Sequence, residues 1–221
     1  MPAVNNRNLP YIIKRLRAEY RKKKAPIVTL LAVQTREPYK VLASCILSLR
    51  TQDATTAEAS KRLFALAPDV RALARARVQA VERAIYPVGF YKTKAPQLVE
   101  MAGRIVRDYG GRVPDQIDTL LSFKGVGRKT ANLVVTAAYG KPGICVDTHV
   151  HRITNIWGYV VTKTPEETEM ALRDKLPRRY WLEINDLLVS YGQTQCRPSS
   201  PLCSTCVIAK WCPRLGVKRS R

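Results

Sequence analysis

The chain has 221 residues, of which 38 are lysine or arginine and 17 are aspartate or glutamate, so its formal net charge is +21. Hydrophobic residues make up 46% and charged residues 25%, which excludes a disordered chain or a coiled coil as the overall state. The sequence has no stretch of about 18 apolar residues, as a membrane-spanning helix needs, and its excess of positive charge predicts a nucleic acid as partner.

The first half of the chain is predicted to be helical, because its apolar residues recur at steps of three and four. The segment IVTLLAVQT at 27–35 is the one strand-like run, and a single strand cannot form a sheet. Thr55 and Glu58 fit a capping box, which predicts a helix start at that point. A later predicted helix ends at Gly110, and its apolar face contains Leu98, Met101, Ile105 and Tyr109. We therefore predict an all-α fold.

A pair of helices joined by a tight turn is predicted between residues 115 and 140. The turn has the sequence FKGVG at 123–127, and its two glycines can adopt positive φ values, so the backbone can turn sharply and present its NH groups. The positive end of the second helix lies beside this turn, and such an arrangement binds a phosphate without reading a base. The expected contacts to a DNA backbone are Lys124, Gly125, Val126, Gly127 and Arg128.

The stretch GVGRKTA at 125–131 resembles the helix-hairpin-helix of the DNA glycosylases related to endonuclease III. The resemblance continues at VDTH, residues 146–149, where the family has a catalytic aspartate in the same context. It implies that Lys129 and Asp147 are the catalytic pair. Asp147 is expected near the start of a further helix, where an aspartate also serves as an N-cap, and the two roles can coexist.

The chemistry of this family explains why a lysine and a carboxylate are needed together. Cleavage of an N-glycosidic bond passes through an oxocarbenium-like sugar, which a nearby carboxylate stabilises. A neutral Lys129 can add to C1′ and form a Schiff base, which makes the C2′ proton acidic and leads to β-elimination of the 3′ phosphate. Asp147 would stabilise the sugar and accept the proton of the ammonium group. The alternative for Lys129 is a contact to phosphate alone.

Further helices are predicted in the last third of the chain. Thr164 and Glu167 fit a capping box, with Pro165 at the first helical position. Another helix is predicted to stop before Gly192, and its apolar face contains Trp181, Ile184, Leu188 and Tyr191. The basic run VKRSR at 217–221 is typical of a solvated or frayed tail, or else contacts phosphate, and does not locate a site.

Four of the six cysteines are crowded into one segment with the spacing C-x6-C-x2-C-x5-C: Cys196, Cys203, Cys206 and Cys212. Four thiolates bind either a zinc ion or a [4Fe-4S] cluster, and the spacing alone does not choose between them. The endonuclease III family ends in the same spacing and holds a [4Fe-4S] cluster there, so the resemblance implies iron–sulfur. The family also has basic residues between the first two cysteines, whereas the segment 197–202 has only Arg197.

The resemblance covers most of the chain and implies two helical domains. A six-helix domain at 35–141 would contain the hairpin, and residues 1–34 with 142–221 would form the iron–sulfur cluster domain. The lesion would lie in a cleft between them. Cys45 and Cys145 stand alone among apolar neighbours and are predicted to be buried.

Residues that contact the damaged nucleotide are implied by two further stretches. SLRTQD at 48–53 aligns with a loop that the family inserts into the duplex, so Arg50 would fill the gap left by a flipped base. Phe90, in VGFYKTK, matches an apolar wedge, although packing in the core is the alternative. The expected residues of the base pocket are Ser48, Asp53, Leu121 and His149.

As a whole, the resemblance implies a base-excision-repair DNA glycosylase and AP lyase that removes oxidised pyrimidines and cleaves 3′ to the abasic site. Its partner would be double-stranded DNA with damaged pyrimidines or abasic sites, and it would act as a monomer, away from membranes, in the cytoplasm or the bacterial nucleoid. One alternative is a monofunctional mismatch or adenine glycosylase of the same fold, against which Lys129 argues because those relatives lack this lysine. The other is a non-catalytic DNA-binding redox sensor.

Overall fold

The computed structural model describes residues 3–22 and 37–221, and within these ranges the chain forms helices and no β-strand. The prediction of an all-α fold is therefore confirmed, while the strand-like run at 27–35 lies outside the described residues. Every helix in the described ranges is too short or too polar to cross a membrane. The described residues fall into two compact units, 37–141 and 3–22 with 142–221, and each unit has its own hydrophobic core.

The unit at 37–141 is built around a central helix, α2, which spans Pro38–Ser48. From Tyr39 to Leu47 every side chain of α2 except that of Lys40 is buried, as expected for a helix that is apolar on all sides. Burial of each large aliphatic side chain contributes about 1.5–3 kcal/mol. The other helices of this unit are α3 Asp53–Leu66, α4 Val70–Arg75, α5 Val78–Ile85, α6 Tyr91–Tyr109, α7 Ile117–Leu121 and α8 Arg128–Tyr139.

The ends of these helices test the sequence predictions. Helix α6 ends at Tyr109, and its C-cap is Gly110 with φ 60°, as predicted from the glycine. The prediction of a helix start at Thr55 is wrong, because α3 begins at Asp53 and Thr55 lies inside it. The N-cap, Gln52, makes no side-chain capping bond, but the charge of Asp53 in the first turn interacts favourably with the helix dipole.

The second unit contains α1 Leu9–Arg21, α9 Thr148–Ile156, α10 Pro165–Lys175 and α11 Ile184–Thr194, with short 3-10 helices at Arg178–Tyr180 and Ala209–Trp211. Its core surrounds Trp157 and Tyr159, both of which are fully buried. The capping box of α10 is confirmed, because the Glu167 NH donates to Thr164 Oγ1 at 3.2 Å. The Glu167 carboxylate accepts from the Lys163 NH at 2.7 Å, one residue before the N-cap.

Helix α11 differs from its prediction at both ends. Trp181 precedes the helix, which begins at Ile184, and the helix continues through Gly192 to Thr194. A Cβ atom at Gly192 would lie 2.3 Å from His149 Nδ1. The glycine therefore leaves room for the histidine ring and does not end the helix.

Candidate functional site

The predicted hairpin is present in the unit at 37–141, where a six-residue turn at 122–127 connects α7 to α8. Gly125 has φ 83°, in the left-handed region, whereas Gly127 is the N-cap of α8 with an extended backbone at φ −92°. The sharp turn therefore requires a glycine only at position 125. Lys124 is exposed, but the Val126 side chain is buried in the core, so only the backbone of Val126 is available to a ligand.

Lys129 is an exposed residue in the first turn of α8. It lies close enough to α2 for its charge to act on the Cys45 thiol. Burial raises the pKa of this thiol to about 12, against the opposing effect of the Lys129 charge. Cys45 is thus buried, as predicted, and its thiol is protonated, whereas Lys129 is exposed.

Arg50 and Phe90 lie together on the surface of the same unit. The Arg50 guanidinium carbon is 5.4 Å from the centre of the Phe90 ring, within the range of a cation–π interaction. Both residues have positive φ values, 54° and 60°. Phe90 is 60% exposed, which shows that the alternative of core packing is wrong for this residue. We call this pair and its two loops, 48–51 and 86–90, the double loop.

The first loop of the double loop is held by hydrogen bonds from Lys94, a buried residue to which the sequence analysis assigned no function. This lysine of α6 is only 6% exposed, and its Nζ donates to the carbonyls of Leu47 at 3.0 Å and Leu49 at 2.5 Å. Burial lowers the pKa of Lys94 to about 8. The available signal was its position, because Lys94 lies four residues before Leu98 on the apolar face of α6.

Gly89 makes the closest approach between the two loops. Its NH donates to Thr51 Oγ1 at 3.1 Å, and a Cβ atom at this position would lie 2.4 Å from the Arg50 carbonyl oxygen. Only glycine therefore permits this contact. The double loop is one locally fixed structure in which both exposed side chains have a defined position.

Three of the expected pocket residues belong to this unit. Ser48 ends α2, and its hydroxyl donates to the Cys45 carbonyl at 2.8 Å. Asp53 is an exposed residue at the start of α3, five residues further along the chain. Leu121, at the end of α7, is partly buried against the core. The structure thus brings Ser48 and Asp53 to the loop of Arg50 and places Leu121 beside the hairpin turn.

Asp147 belongs to the other unit and is the N-cap of α9, as expected. Its Oδ1 accepts hydrogen bonds from the NH groups of His149 at 2.8 Å and Val150 at 2.9 Å. These bonds satisfy two NH groups of the first turn and fix the orientation of the carboxylate. The negative charge at the N-terminus of α9 is also favoured by the helix dipole.

His149 lies in the first turn of α9, and its ring occupies the space beside Gly192. Its Nδ1 is 3.3 Å from Nη2 of Arg152, and the same nitrogen of Arg152 donates to the carbonyl of Cys196. His149 is therefore packed between two helices and linked to the first cysteine of the cluster. His151, in contrast, bonds Thr168 Oγ1 through Nδ1 at 2.7 Å and has a structural role.

The four clustered cysteines are free thiols that line one cavity with apolar residues and Tyr191. The Tyr191 hydroxyl is 3.0 Å from Cys206 Sγ. Burial raises the pKa of Cys196 to about 11 and also raises that of Cys212. A positively charged metal centre would offset this effect and stabilise the thiolates.

The four cysteines have the spacing of a four-thiolate centre, and all four line the same cavity. As the side chains stand in the two described ranges, however, no group of three or more histidine, cysteine or acidic side chains is placed to hold a metal ion.

The chain is similar to proteins of known function over most of its length. A family model described as HhH-GPD superfamily base excision DNA repair protein matches residues 43–178. Endonuclease III of Thermotoga maritima is 46% identical over 176 residues, which are 80% of this chain and 83% of the relative. Endonuclease III of Bacillus subtilis is 34% identical over 185 residues, 83% of this chain and 84% of the relative.

A solved structure of endonuclease III, trapped as a covalent intermediate with DNA, has the same fold. Its TM-score is 0.83 at 27% sequence identity, and the match covers 96% of this chain and 97% of that one. The fold and the local motifs therefore agree with the same group of proteins.

Proposed function

The chain belongs to the endonuclease III family of the HhH-GPD base-excision DNA repair superfamily, and from this membership we propose that it removes oxidised pyrimidines through a Schiff base on Lys129. It is a DNA glycosylase and AP lyase that binds DNA. The proposal concerns the substrate, the residues that act on it and the cofactor.

The observation that carries the proposal is the setting of Lys129. The lysine is exposed in the first turn of α8, directly after the turn whose Gly125 has φ 83°. Backbone NH groups and the helix dipole at such a turn hold a phosphate, so the lysine beside them faces the adjoining sugar. A solved structure of endonuclease III was trapped as a covalent intermediate with DNA, which supports a covalent step in the reaction proposed here.

The reaction proceeds in two stages. The neutral Lys129 amine adds to C1′ as the C1′–N bond to the base breaks, and the base leaves with a proton. The added nitrogen loses a proton, the C1′–O4′ bond then breaks, O4′ takes up a proton, and a C1′=N double bond forms. The resulting Schiff base acidifies C2′, which loses a proton as the 3′ C–O bond breaks and the phosphate leaves. Hydrolysis of the Schiff base then releases the lysine. The strand is cut 3′ to the lesion without an added oxidant or reductant.

Asp147 is proposed to act on the same sugar. The NH groups of His149 and Val150 hold its carboxylate in one orientation, so its negative charge is available to stabilise the oxocarbenium-like sugar. It would also accept the ammonium proton of Lys129 before the attack. Arg50 and Phe90 are proposed to fill the space that the flipped base leaves, because both are exposed on a fixed double loop.

We further propose that Cys196, Cys203, Cys206 and Cys212 hold a [4Fe-4S] cluster. Their spacing and their shared cavity fit four thiolate ligands. When bound, the cluster would form one bond to each of the four cysteines and so link the three chain segments between successive cysteines, 196–203, 203–206 and 206–212. We also propose that the protein acts as a monomer in the cytoplasm.

A nicking assay on duplexes with one modified base tests the substrate and the lysine together. The substrates are a thymine-glycol duplex, a G·T mismatch and an adenine opposite 8-oxoguanine. The wild type is expected to nick the thymine-glycol strand without alkali, and Lys129→Gln is expected to lose this nicking. Release of a normal base from either mismatch, with nicking only after alkali, would contradict the proposal and indicate a monofunctional glycosylase.

A further inference from the structure

The C-terminal segment after Cys212 is folded back onto the unit at 3–22 and 142–221. The Leu215 NH donates to the carbonyl of Ile156, at the end of α9, at 3.0 Å. At the other end, the Arg221 NH donates to the Pro201 carbonyl and the Arg221 carbonyl accepts from the Ser204 NH, both at 2.9 Å. The basic run at 217–221 is thus attached at its end to the cysteine segment and is not a frayed tail.

This folding forms a solvent-open cleft of about 870 Å³ between the C-terminal segment, α9 and the segment after Cys196. Its lining includes four cations, Arg152, Arg197, Lys218 and Arg219. Among the described residues that line the cleft, none is aspartate or glutamate. The cleft therefore has a strongly positive potential, which attracts an anion.

The other lining residues indicate which anion fits. Described lining residues include no phenylalanine, tyrosine or tryptophan, and the ring of His151 is fixed by its bond to Thr168, so the cleft lacks the aromatic platform on which single-stranded bases commonly stack. Lys218 and Arg219 are exposed, whereas Arg197 is held by a bond from its Nε to the Thr194 carbonyl at 3.2 Å. Positively charged side chains on both sides of the cleft, Arg197 on one and Lys218 and Arg219 on the other, fit several linked phosphates better than they fit a single nucleotide.

We propose that this cleft binds the phosphodiester backbone of one DNA strand next to the lesion. The inference deepens the proposed function and rests on it. Arg152 lies five residues after Asp147, or about 8 Å along α9, so the cleft belongs to the same unit as the carboxylate that is proposed to act on the sugar. The C-terminal segment contributes Lys218 and Arg219 to the cleft, whereas the segment 197–202 contributes only Arg197.

The test compares two variants that each remove two positive charges. Lys218→Ala/Arg219→Ala removes two positive charges from the lining of the cleft. The control, Lys61→Ala/Arg83→Ala, removes two exposed positive charges from α3 and α5. Fluorescence anisotropy measures the affinity for a duplex with a reduced abasic site between about 50 and 200 mM salt. We expect the cleft variant to bind about 10-fold more weakly, with a slope of log K against log salt smaller by about 2, and the control to change less than about twofold.

Equal affinities and slopes for the two variants would overturn the proposal. A second arm titrates the wild type and the cleft variant with pyrophosphate; if the variant loses pyrophosphate binding but keeps its affinity for the duplex, the cleft takes a free phosphate compound and the assignment to DNA is wrong. The proposed function is tested separately by borohydride trapping of the wild type. If no adduct forms but the cleft variant still binds DNA more weakly, the lysine mechanism fails and the cleft assignment stands.

Discussion

Replacing Gly89 with alanine should displace the loop that carries Arg50. The new Cβ atom would lie 2.4 Å from the Arg50 carbonyl oxygen, a backbone atom that no side-chain rotation can remove. The two loops must therefore move apart by about 0.6 Å to reach even a 3.0 Å contact. Because Arg50 and Phe90 interact across these loops, the shift separates them.

The size of the effect follows from two opposing contributions. Overpacking of a close contact costs about 1–3 kcal/mol, whereas replacing glycine by alanine restricts the unfolded chain and returns about 0.4–1 kcal/mol. We expect the free energy of unfolding to fall by roughly 0.5–2 kcal/mol. Affinity for a duplex with an abasic-site analogue should fall about 10-fold, which corresponds to about 1.4 kcal/mol of lost contacts with Arg50 and Phe90.

Gly103→Ala is the matched control for this experiment. Gly103 lies inside α6, and no atom lies within 4 Å of a Cβ added there. Alanine favours a helix by about 1 kcal/mol over glycine, so the control should be as stable as the wild type or more so. Urea unfolding and anisotropy measure both variants. If Gly89→Ala matches Gly103→Ala in stability and in abasic-site affinity, the double loop is not rigid and the reasoning is refuted.

Lys94→Met keeps the packing of the side-chain stem but removes the hydrogen bonds to two carbonyls; we expect urea unfolding to show a loss of about 1–3 kcal/mol, and an unchanged midpoint would count against this role. Gly192→Ala should push the His149 ring aside, because the new Cβ would lie 2.3 Å from Nδ1; release of thymine glycol should slow while nicking of a preformed abasic site persists, and equal slowing of both would argue against a role in base recognition. Cys206→Ser should lower the iron and sulfide bound per chain, and a wild type that contains zinc in place of iron would refute the cluster assignment.

Local sequence patterns predicted the parts of the fold that local forces determine. The end of α6 at Gly110 and the capping box at Thr164 were correct, because each depends on neighbours within a few residues. The prediction of a helix stop at Gly192 is wrong because this glycine makes room for His149, 43 positions away along the chain. A glycine that makes room for a distant ring has no local signature.

In the candidate site, too, the sequence predicted the features that neighbouring residues determine and missed those that distant residues determine. The hairpin turn and the N-cap position of Asp147 could be predicted, since helix termini have strong residue preferences. The support from Lys94 could not, because a lysine in an apolar register is ordinarily read as exposed. The C-terminal basic run was read as a possible tail because its attachment to the cysteine segment depends on backbone hydrogen bonds that composition does not reveal.

The central claim is that the Lys129 amine attacks C1′ of the lesion. Borohydride reduces a Schiff base to a stable amine, so incubating the wild type with an abasic duplex and borohydride should give a covalent one-to-one adduct. Peptide mapping by mass spectrometry should place the sugar on Lys129, Lys129→Gln should give no adduct, and Lys124→Gln, which removes a neighbouring exposed cation, should still give one. An adduct on a different lysine, or an undiminished adduct with Lys129→Gln, would contradict the account.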